Sequence, residues 1–335
     1  MNNSRRSFIK KSAFTGMVAG LGTLPISLFA EEKINPIKIG IIGLDTSHSP
    51  AFTKLFNAEN PAPELSGFRV VAAYPYGSRD IKSSADRIPS YIEQVKEWGV
   101  EITDSIESLL EKVDVVLLET NDGKPRLEQA RKVIQAKKPV FIDKPVAASL
   151  KDTLTIYREA KENHVPVFSA SSLRYMSNAQ AVRYDNKIGK VLGCDAFSPA
   201  TLEPGHPDLF WYGIHGVEIL FTVMGTGCES VTRFSTQDEE VVVGTWKDGR
   251  IGTFRGMRAG KHEYGGTAFG SDGNIFLGKY EGYEPLAGKI AEFFKTGKSP
   301  VADEETLEIY AFMEAADESK RRGGAQVQLS DFLKG

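Results

Sequence analysis

The segment KIGIIGLDTSHSP, residues 38–50, has the pattern that opens a dinucleotide-binding domain. The short apolar run Lys38–Ile42 predicts a buried strand, and Gly43 follows it as the first glycine of a phosphate-binding turn would. The fingerprint G-x-G-x-x-G requires further glycines two and five positions later, but Asp45 and His48 occupy those positions. The spacing therefore indicates diphosphate binding at a turn in which two of the three glycines are replaced.

Two interpretations of this turn remain open. The second glycine normally allows the backbone to approach the pyrophosphate, and Asp45 places a negative side chain there. If Asp45 caps the following helix, it occupies the anion site that the phosphates need. Alternatively, Thr46, Ser47 and His48 can donate hydrogen bonds to a displaced diphosphate. We predict a modified cofactor site at Gly43, Asp45, Thr46, Ser47 and His48, with absence of the cofactor as the alternative.

The end of the second predicted strand bears on the choice between NAD and NADP. This strand ends in AAYPYGSR, without the acidic residue that usually binds a ribose hydroxyl. Ser78 and Arg79 suit a 2′-phosphate instead, which slightly favours NADP over NAD. The alternative is that Arg79 is simply a loop charge.

These residues are positioned by an alternation of apolar strands and amphipathic helices. The predicted strands are Ile37–Gly43, Phe68–Tyr74, Asp114–Thr120, Pro139–Asp143 and Pro166–Ser171. The predicted helices are Pro50–Asn57, Ala85–Trp98, Ser105–Glu111, Pro125–Lys137 and Ser149–Asn163, the last with Ser149 and Asp152 at capping-box spacing. This alternation predicts a doubly wound parallel sheet covered on both faces. Its ligands should lie beyond the carboxyl ends of the strands.

The pattern changes after about Arg174. VLGCDAFSPATL, VTRFSTQ, EEVVVGTWKDGRIGTFRG and TAFGSDGNIFLG read as strands, with KDGR and SDGN as hairpin turns. A helix is predicted over Glu304–Arg321. The fold class is therefore α/β, with a doubly wound domain over residues 34–172 and an α/β domain with a mostly antiparallel open sheet over 173–335.

Residues 1–30 have the pattern of an export signal. SRRSFIKK precedes an uncharged, largely apolar stretch, and the Arg5–Arg6 pair resembles a twin-arginine signal. We predict translocation by the twin-arginine machinery to the periplasm, with cleavage near Ala30. A membrane anchor or a disordered basic tail is the alternative.

Composition excludes several classes of function. The chain has 44 acidic against 41 basic residues, and Arg5, Arg6, Lys10 and Lys11 would be lost with the signal. The resulting acidic excess disfavours nucleic acid and anionic membranes as partners. Only two cysteines are present, so a cysteine-rich metal site is excluded, and pairing of Cys194 with Cys228 stays open.

Several motifs together resemble the glucose–fructose oxidoreductase, inositol dehydrogenase and rhizopine-catabolism (Gfo/Idh/MocA) family. VFIDKPVAAS resembles its Glu-Lys-Pro segment, with Asp143 in place of Glu, and WYGIHGVEILFTVMG resembles its histidine-bearing helix. SLRY, KIGKVLGCDAF, AFGSDGNIFL and the C-terminal SPVADEETLEIYAFMEAADESKRRGG also match. The resemblance covers nearly all of the chain after residue 30.

The resemblance implies a Rossmann domain, an open sheet that often forms the oligomer interface, and hydride exchange between NAD(P) and a hydroxyl-bearing carbon. Lys144 matches the family's active-site lysine and His215 its active-site histidine. A histidine suits removal of the hydroxyl proton, and a lysine stabilises the developing alkoxide. Thr120, Asn121, Asp143 and Lys144 are further predicted cofactor contacts.

The departures from the family pattern define the predicted substrate contacts. Trp211 stands where the family commonly has an aspartate, and Asp208 is one helical turn away. Trp211 and Tyr212 can form a stacking platform for a sugar ring, with core aromatics as the alternative. Arg174 is a candidate for a substrate hydroxyl, with a salt bridge as its alternative. His206, Asp208 and His215 match no known ligand spacing, so we predict no metal site.

Two functions follow. The first is an exported oxidoreductase that acts on a hydroxyl of a sugar, glycoside or cyclitol, with tightly bound, internally recycled NAD(P). The second is a cofactor-free sugar-binding or scaffold protein that retains the fold. An enzyme requires Lys144 and His215 to face a common point, whereas a binding protein does not.

Overall fold

A computed structural model describes residues 35–78 and 80–333 of the chain. The predicted export signal and Arg79 lie outside these residues. The strands are β1 Ile37–Ile42, β2 Phe68–Tyr74, β3 Glu101–Ile102, β4 Val115–Leu118, β5 Val140–Ile142, β6 Val167–Phe168, β7 Val191–Pro199, β8 Cys228–Ser235, β9 Glu239–Trp246, β10 Ile251–Met257, β11 Gly265–Gly270, β12 Gly273–Phe276 and β13 Val327–Gln328. The helices are α1 His48–Asn57, α2 Lys82–Ala85, α3 Ile88–Glu97, α4 Ile106–Leu110, α5 Arg126–Gln135, α6 Leu150–Glu162, α7 Ser177–Tyr184, α8 Ile214–Met224, α9 Glu284–Thr296, α10 Asp303–Arg321 and α11 Ser330–Leu333.

The first sheet is parallel and has the strand order β3-β2-β1-β4-β5-β6. Its central strands are apolar and buried on both faces, as their continuous Val, Ile and Leu runs predict. In β1, a Cβ on Gly40 would lie 2.8 Å from the side chain of Leu109 in α4, so this glycine allows α4 to pack closely against the strand. The order reverses between β1 and β4, which places the ligand crevice of such a sheet at their carboxyl ends.

The second sheet has the order β12-β11-β7-β10-β9-β8-β13, and β7–β10 is its parallel pair. The remaining pairs are antiparallel, so the predicted mostly antiparallel sheet is confirmed. The KDGR and SDGN turns join β9 to β10 and β11 to β12 as predicted. Helices α8 and α10 cover one face of the sheet. The other face exposes Phe234, Ile251 and Phe276.

Helix α9 differs from the predicted division of the chain. It belongs to the second half of the sequence but packs against the first sheet, with Leu286, Ile290 and Phe293 fully buried. The ring of Phe293 lies 5.6 Å from that of Phe168 in β6. The apolar side of α9 thus completes the core beneath the first sheet, and residues 173–335 contribute to both layers.

One predicted helix start is confirmed and another is not. Ser149 caps α6 by accepting a hydrogen bond from Asp152 N–H at 3.1 Å. The helix predicted over 85–98 begins later, as α3 at Ile88 with Pro89 in its first turn, because Ala85 ends the separate short helix α2. None of the described helices has the length and apolarity needed to cross a membrane.

Candidate functional site

A cleft of about 290 Å³ lies beyond the carboxyl ends of β1, β4 and β5, between the first sheet and residues of the second half of the chain. The residues that line it are Thr46, Ser47, His48, Ser83, Arg87, Asn121, Lys144, Ser172, Leu173, Thr201, Glu203, Trp211, Tyr212, His215, Tyr264, Tyr280 and Tyr283. The cleft brings together most of the residues predicted from the sequence. Larger surface grooves elsewhere contain none of them.

Lys144 and His215 line this one cleft from different elements. Lys144 follows β5, and its Nζ lies 3.9 Å from Asp143 Oδ2. His215 is the second residue of α8, and its Nδ1 lies 2.7 Å from Ser171 Oγ. Burial, and then the positive charge of Lys144, hold the pKa of His215 well below its ordinary value. His215 is therefore neutral near pH 7 and can accept a proton.

Four tyrosines form an aromatic arc along the cleft, comprising Tyr212, Tyr264, Tyr280 and Tyr283. The rings of Tyr212 and Tyr264 lie 5.5 and 5.8 Å from that of His215. The Tyr280 and Tyr283 rings are 5.6 Å apart. The arc gives the cleft a wall of apolar ring faces with polar edges.

Asp45 adopts neither of the positions predicted for it. Its carboxylate is fully buried and accepts hydrogen bonds from Ser78 N–H at 2.6 Å, from the Ser78 hydroxyl, and from Asn121 N–H at 3.1 Å. Burial raises the pKa of Asp45, and these hydrogen bonds oppose that shift. Ser47, rather than Asp45, is the residue before α1, and it makes no side-chain cap. Asp45 ties together the loops that follow β1, β2 and β4.

The predicted contact of Ser78 with a 2′-phosphate is therefore wrong. Ser78 is buried, its hydroxyl donates to Asp45, and it accepts a hydrogen bond from Asp122 N–H at 3.0 Å. These bonds commit both functions of the hydroxyl to the protein. Of the two residues predicted to contact a 2′-phosphate, Ser78 is engaged within the protein and Arg79 lies outside the described residues. No described residue therefore favours NADP over NAD.

Arg174 is not a substrate contact, because its guanidinium is committed to a buried ion-pair network. Its Nε lies 2.7 Å from Glu218 and its Nη1 lies 2.6 Å from Glu305. Arg174 contributes no part of the cleft lining. The alternative given for Arg174 in the sequence analysis, a salt bridge, is therefore the one that the structure shows.

Asp208 also lies away from His215. Its carboxylate pairs with Lys320 at 2.5 Å and with Arg233 at 3.0 Å. His206 pairs with Asp122 instead, at 3.0 Å. His206, Asp208 and His215 thus have three separate sets of partners.

Trp211 and Tyr212 both line the cleft, on a π-helical turn, Leu209–Gly213, that leads into α8. Such wide turns are frequent at functional sites. The Trp211 ring lies 5.0 Å from that of His206, which holds it at the cleft wall. Their position at the cleft is compatible with the predicted stacking platform.

Three predicted cofactor contacts are buried below the cleft lining. Gly43 has φ +96°, and a Cβ there would lie 2.5 Å from Thr120 N, so this glycine is required by close approach of β1 to β4. Thr120 and Asp143 are buried. Arg126 is also buried, and its Nε donates to Thr120 O at 2.6 Å. These residues shape the floor beneath the cleft.

Sequence reasoning missed Tyr264, Tyr280 and Tyr283 because they stand in loops of the second half, in HEYGG and GKYEGYEP, at no recognisable spacing. It also missed Glu119, which follows β4 within the stretch ETND. The sequence signal that could have identified Glu119 is a charged residue placed directly after an apolar strand, where ligands of a parallel sheet bind. Both free cysteines, Cys194 and Cys228, are buried and unpaired in the described part of the chain.

Comparison with known proteins supports the fold. The model of an oxidoreductase family with an NAD-binding Rossmann fold, GFO_IDH_MocA, matches residues 37–171. A probable dehydrogenase from Thermotoga maritima is 20% identical with a TM-score of 0.70, over 89% of this chain and 100% of that one. The scyllo-inositol dehydrogenase of Lactobacillus casei, solved with NAD(H) and scyllo-inositol, is 13% identical with a TM-score of 0.70, over 88% and 99%.

An oxidoreductase from Agrobacterium radiobacter, in complex with NAD+, L-tartaric acid and magnesium, is 16% identical with a TM-score of 0.68, over 89% and 99%. A comparison with curated protein sequences gave no match. At these identities the solved structures establish the two-sheet fold. The family match covers the first sheet and its helices, over residues 37–171.

Proposed function

Because residues 37–171 match the model of the Gfo/Idh/MocA oxidoreductase family, we propose that this protein oxidises or reduces a hydroxyl-bearing carbon of a sugar, glycoside or cyclitol. The observation that carries this proposal is that Lys144 and His215 line one cleft. They reach it from the first sheet and from α8, as an enzyme of this kind requires.

The cleft offers groups that suit the diphosphate of the cofactor that the family implies. The N-terminus of α1 lines the cleft without a side-chain cap, so its amide groups and dipole favour an anion there. Thr46 and Ser47 at this helix end, with Arg87 and Asn121 across the cleft, would hold the diphosphate. Asp45 directs its charge away from the cleft, into the loops below it. Bound NAD(P) would supply the acceptor or donor of a hydride.

His215 and Lys144 would handle the proton and the charge on oxygen. As the C–H bond breaks and hydride departs, the hydroxyl proton passes to Nε2 of neutral His215, and the C–O bond becomes a carbonyl. This step uses the tautomer in which Nδ1–H donates to Ser171 Oγ. The Lys144 ammonium stabilises the oxygen while its negative charge develops.

The cleft walls support a carbohydrate or cyclitol as substrate. The aromatic arc, Tyr212, Tyr264, Tyr280 and Tyr283, presents ring faces against which the C–H groups of a saturated ring can pack. Thr201 and Glu203 add hydrogen-bonding groups suited to hydroxyls. The second candidate, a cofactor-free sugar-binding protein, is favoured by the volume of about 290 Å³, at the lower end for pockets that hold drug-sized ligands.

Release of the cofactor distinguishes the two candidates. Purified folded protein is denatured and the supernatant is analysed for nicotinamide dinucleotides. We expect about one NAD(P) per chain, held tightly because an exported protein has no free dinucleotide pool. Absence of dinucleotide, together with no calorimetric binding of NAD or NADP but binding of a sugar, would favour the cofactor-free protein.

Export through the twin-arginine machinery to the periplasm and self-association are further parts of this proposal. Replacing Arg5 and Arg6 by lysine should retain the precursor in the cytoplasmic fraction, and unchanged export would contradict the assignment. Phe234, Ile251 and Phe276, each more than half exposed on the open sheet face, support a homo-oligomer through this sheet. Sedimentation of wild type and Ile251→Lys tests it, because the charge should dissociate the oligomer.

A further inference from the structure

Directly beneath the cleft, three ionisable side chains converge from three elements. His48 comes from the first turn of α1, Glu119 follows β4, and Asp143 follows β5. Among the residues that the structure describes, this is the one group of three or more potential ligands whose donor atoms all lie within 4.8 Å of one another. The Nδ1 of His48 lies 2.8 Å from Asp143 Oδ2.

Glu119 is the unusual member of this group. It is fully buried, and neither of its carboxylate oxygens has a hydrogen-bond partner among the described residues. Asp143 Oδ1 is also without one. Buried polar groups are almost always hydrogen-bonded, because leaving one unpaired costs the full desolvation penalty. Two buried carboxylates with free oxygens aimed into one space therefore need a partner.

The neighbouring cations do not provide that partner. Arg126 donates to the main-chain oxygens of Thr120 and Asp143. Lys144 Nζ is 3.9 Å from Asp143 Oδ2, which is beyond hydrogen-bond distance. Burial and the charge of Asp143 raise the pKa of Glu119 well above its ordinary value. Protonation alone gives Glu119 a single O–H donor, so its other oxygen stays without a hydrogen-bond partner.

We infer that His48, Glu119 and Asp143 bind a divalent first-row cation, of which Zn²⁺ and Mn²⁺ are the best candidates. One imidazole and two carboxylates form a mixed N/O donor set, which suits these ions better than Ca²⁺. Metal–ligand bonds of about 2.0–2.2 Å allow donor atoms to lie up to about twice that distance apart. In a tetrahedral site such bonds place donor atoms about 3.4 Å apart, so donor atoms that now lie up to 4.8 Å apart would have to approach each other by about 1.4 Å at most.

The position of the ion indicates its use. Three protein ligands leave at least one coordination position open, as in catalytic zinc sites. His48 and Lys144 line the cleft, whereas Glu119 and Asp143 lie below its lining. The open position would therefore face the cleft, where a water or a substrate hydroxyl can occupy it. The three ligands come from the sequence segments GLDTSH, LLETND and FIDKP. His48, which replaces the third glycine of the fingerprint, would thus serve as a metal ligand.

Metal binding is tested without any sugar or dinucleotide, so its outcome is independent of the proposed redox activity. Tag-free full-length protein is stripped with a chelator and titrated calorimetrically with Zn²⁺ and with Mn²⁺. We expect one equivalent per chain for at least one ion, at micromolar affinity or tighter. Glu119→Gln and Asp143→Asn should each weaken binding at least 100-fold. The control Asp122→Asn, a carboxylate after the same strand that pairs with His206, should stay within threefold of wild type.

A second measurement guards against variants that fail to fold. Stoichiometric metal should raise the melting temperature of the stripped wild-type protein, because a ligand that binds only the folded state stabilises it. If Mn²⁺ is the ion bound in the titration, its free-ion electron paramagnetic resonance signal should be lost in wild type and retained in Glu119→Gln. Less than about 0.2 equivalents bound by wild type, or equal affinity in wild type and Glu119→Gln, would overturn the inference.

Discussion

At the scale of single residues, Asp45 shows how a substitution in a motif changes the purpose of a turn. Its carboxylate holds the loops after β1, β2 and β4 by accepting from Ser78 and Asn121. In Asp45→Gly these backbone donors lose their acceptor, and each buried unpaired donor costs about 1–3 kcal/mol. We predict a loss of at least about 2 kcal/mol in the free energy of unfolding, measured by urea denaturation.

Asp45→Asn is the matched comparison, because an amide oxygen can still accept from one of the loops. It should lose less stability than Asp45→Gly. If Asp45→Gly is as stable as wild type, the carboxylate does not hold the loops together.

His215 makes stability depend on pH. Its pKa is lowered in the folded protein by burial and by Lys144, whereas in the unfolded chain it returns to about 6.5. Below pH 6.5 the unfolded state therefore binds a proton that the folded state does not, and stability falls as the pH falls. The contribution is at most about 1.4 kcal/mol per pH unit between the two pKa values.

We predict that His215→Gln reduces the loss of unfolding free energy between pH 7 and pH 5. His164→Gln, which removes an exposed histidine, controls for the substitution itself. An identical pH dependence in wild type and His215→Gln would contradict the lowered pKa.

At this scale the sequence predicts only part of the site. Lys144 and His215 follow from local motifs, and the structure brings both to the cleft. The surroundings of Arg174 could not be predicted, because Glu218 and Glu305 reach it from α8 and α10. A guanidinium in a loop near a site has the same sequence pattern whether it faces a substrate or a buried carboxylate.

At the scale of elements, the capped start of α6 allows a direct test of a sequence rule. Ser149 accepts from Asp152 N–H, and loss of such a cap costs about 1 kcal/mol. We predict that Ser149→Ala lowers the free energy of unfolding by about that amount. Thr155→Ala, which removes an exposed hydroxyl from the same helix, should change it by less than about 0.5 kcal/mol. Equal effects of the two substitutions would show that the cap contributes nothing.

Elements with periodic or turn signals are predictable here, whereas their packing partners are not. The apolar runs of β1, β4 and β5 and the KDGR and SDGN turns identify strands and hairpins. The sequence of α9 shows an apolar side, in Leu286, Ile290 and Phe293, but not which sheet it covers. Only tertiary packing against Phe168 decides this, since both sheets offer an apolar surface.

At the scale of the whole molecule, the proposed function depends on one cleft that is lined by residues from both halves of the chain. The first sheet supplies Lys144 and the N-terminus of α1, and the second half supplies His215 and the aromatic arc. The match of residues 37–171 to an NAD-binding oxidoreductase family supports the proposed hydride transfer. The buried carboxylate of Asp45 departs from the glycine fingerprint of such a site. The central claim is that this composite cleft oxidises or reduces a hydroxyl-bearing carbon.

The most direct test is to mix purified, NAD(P)-loaded protein with a panel of sugars, glycosides and cyclitols and to follow the near-ultraviolet absorbance of reduced nicotinamide. We predict that at least one of these compounds changes that absorbance within a single turnover. In His215→Ala and Lys144→Met the rate should fall by about 10²–10⁴-fold, the contribution typical of acid–base groups. If no compound changes the absorbance, or if both variants keep the wild-type rate, the claim is contradicted.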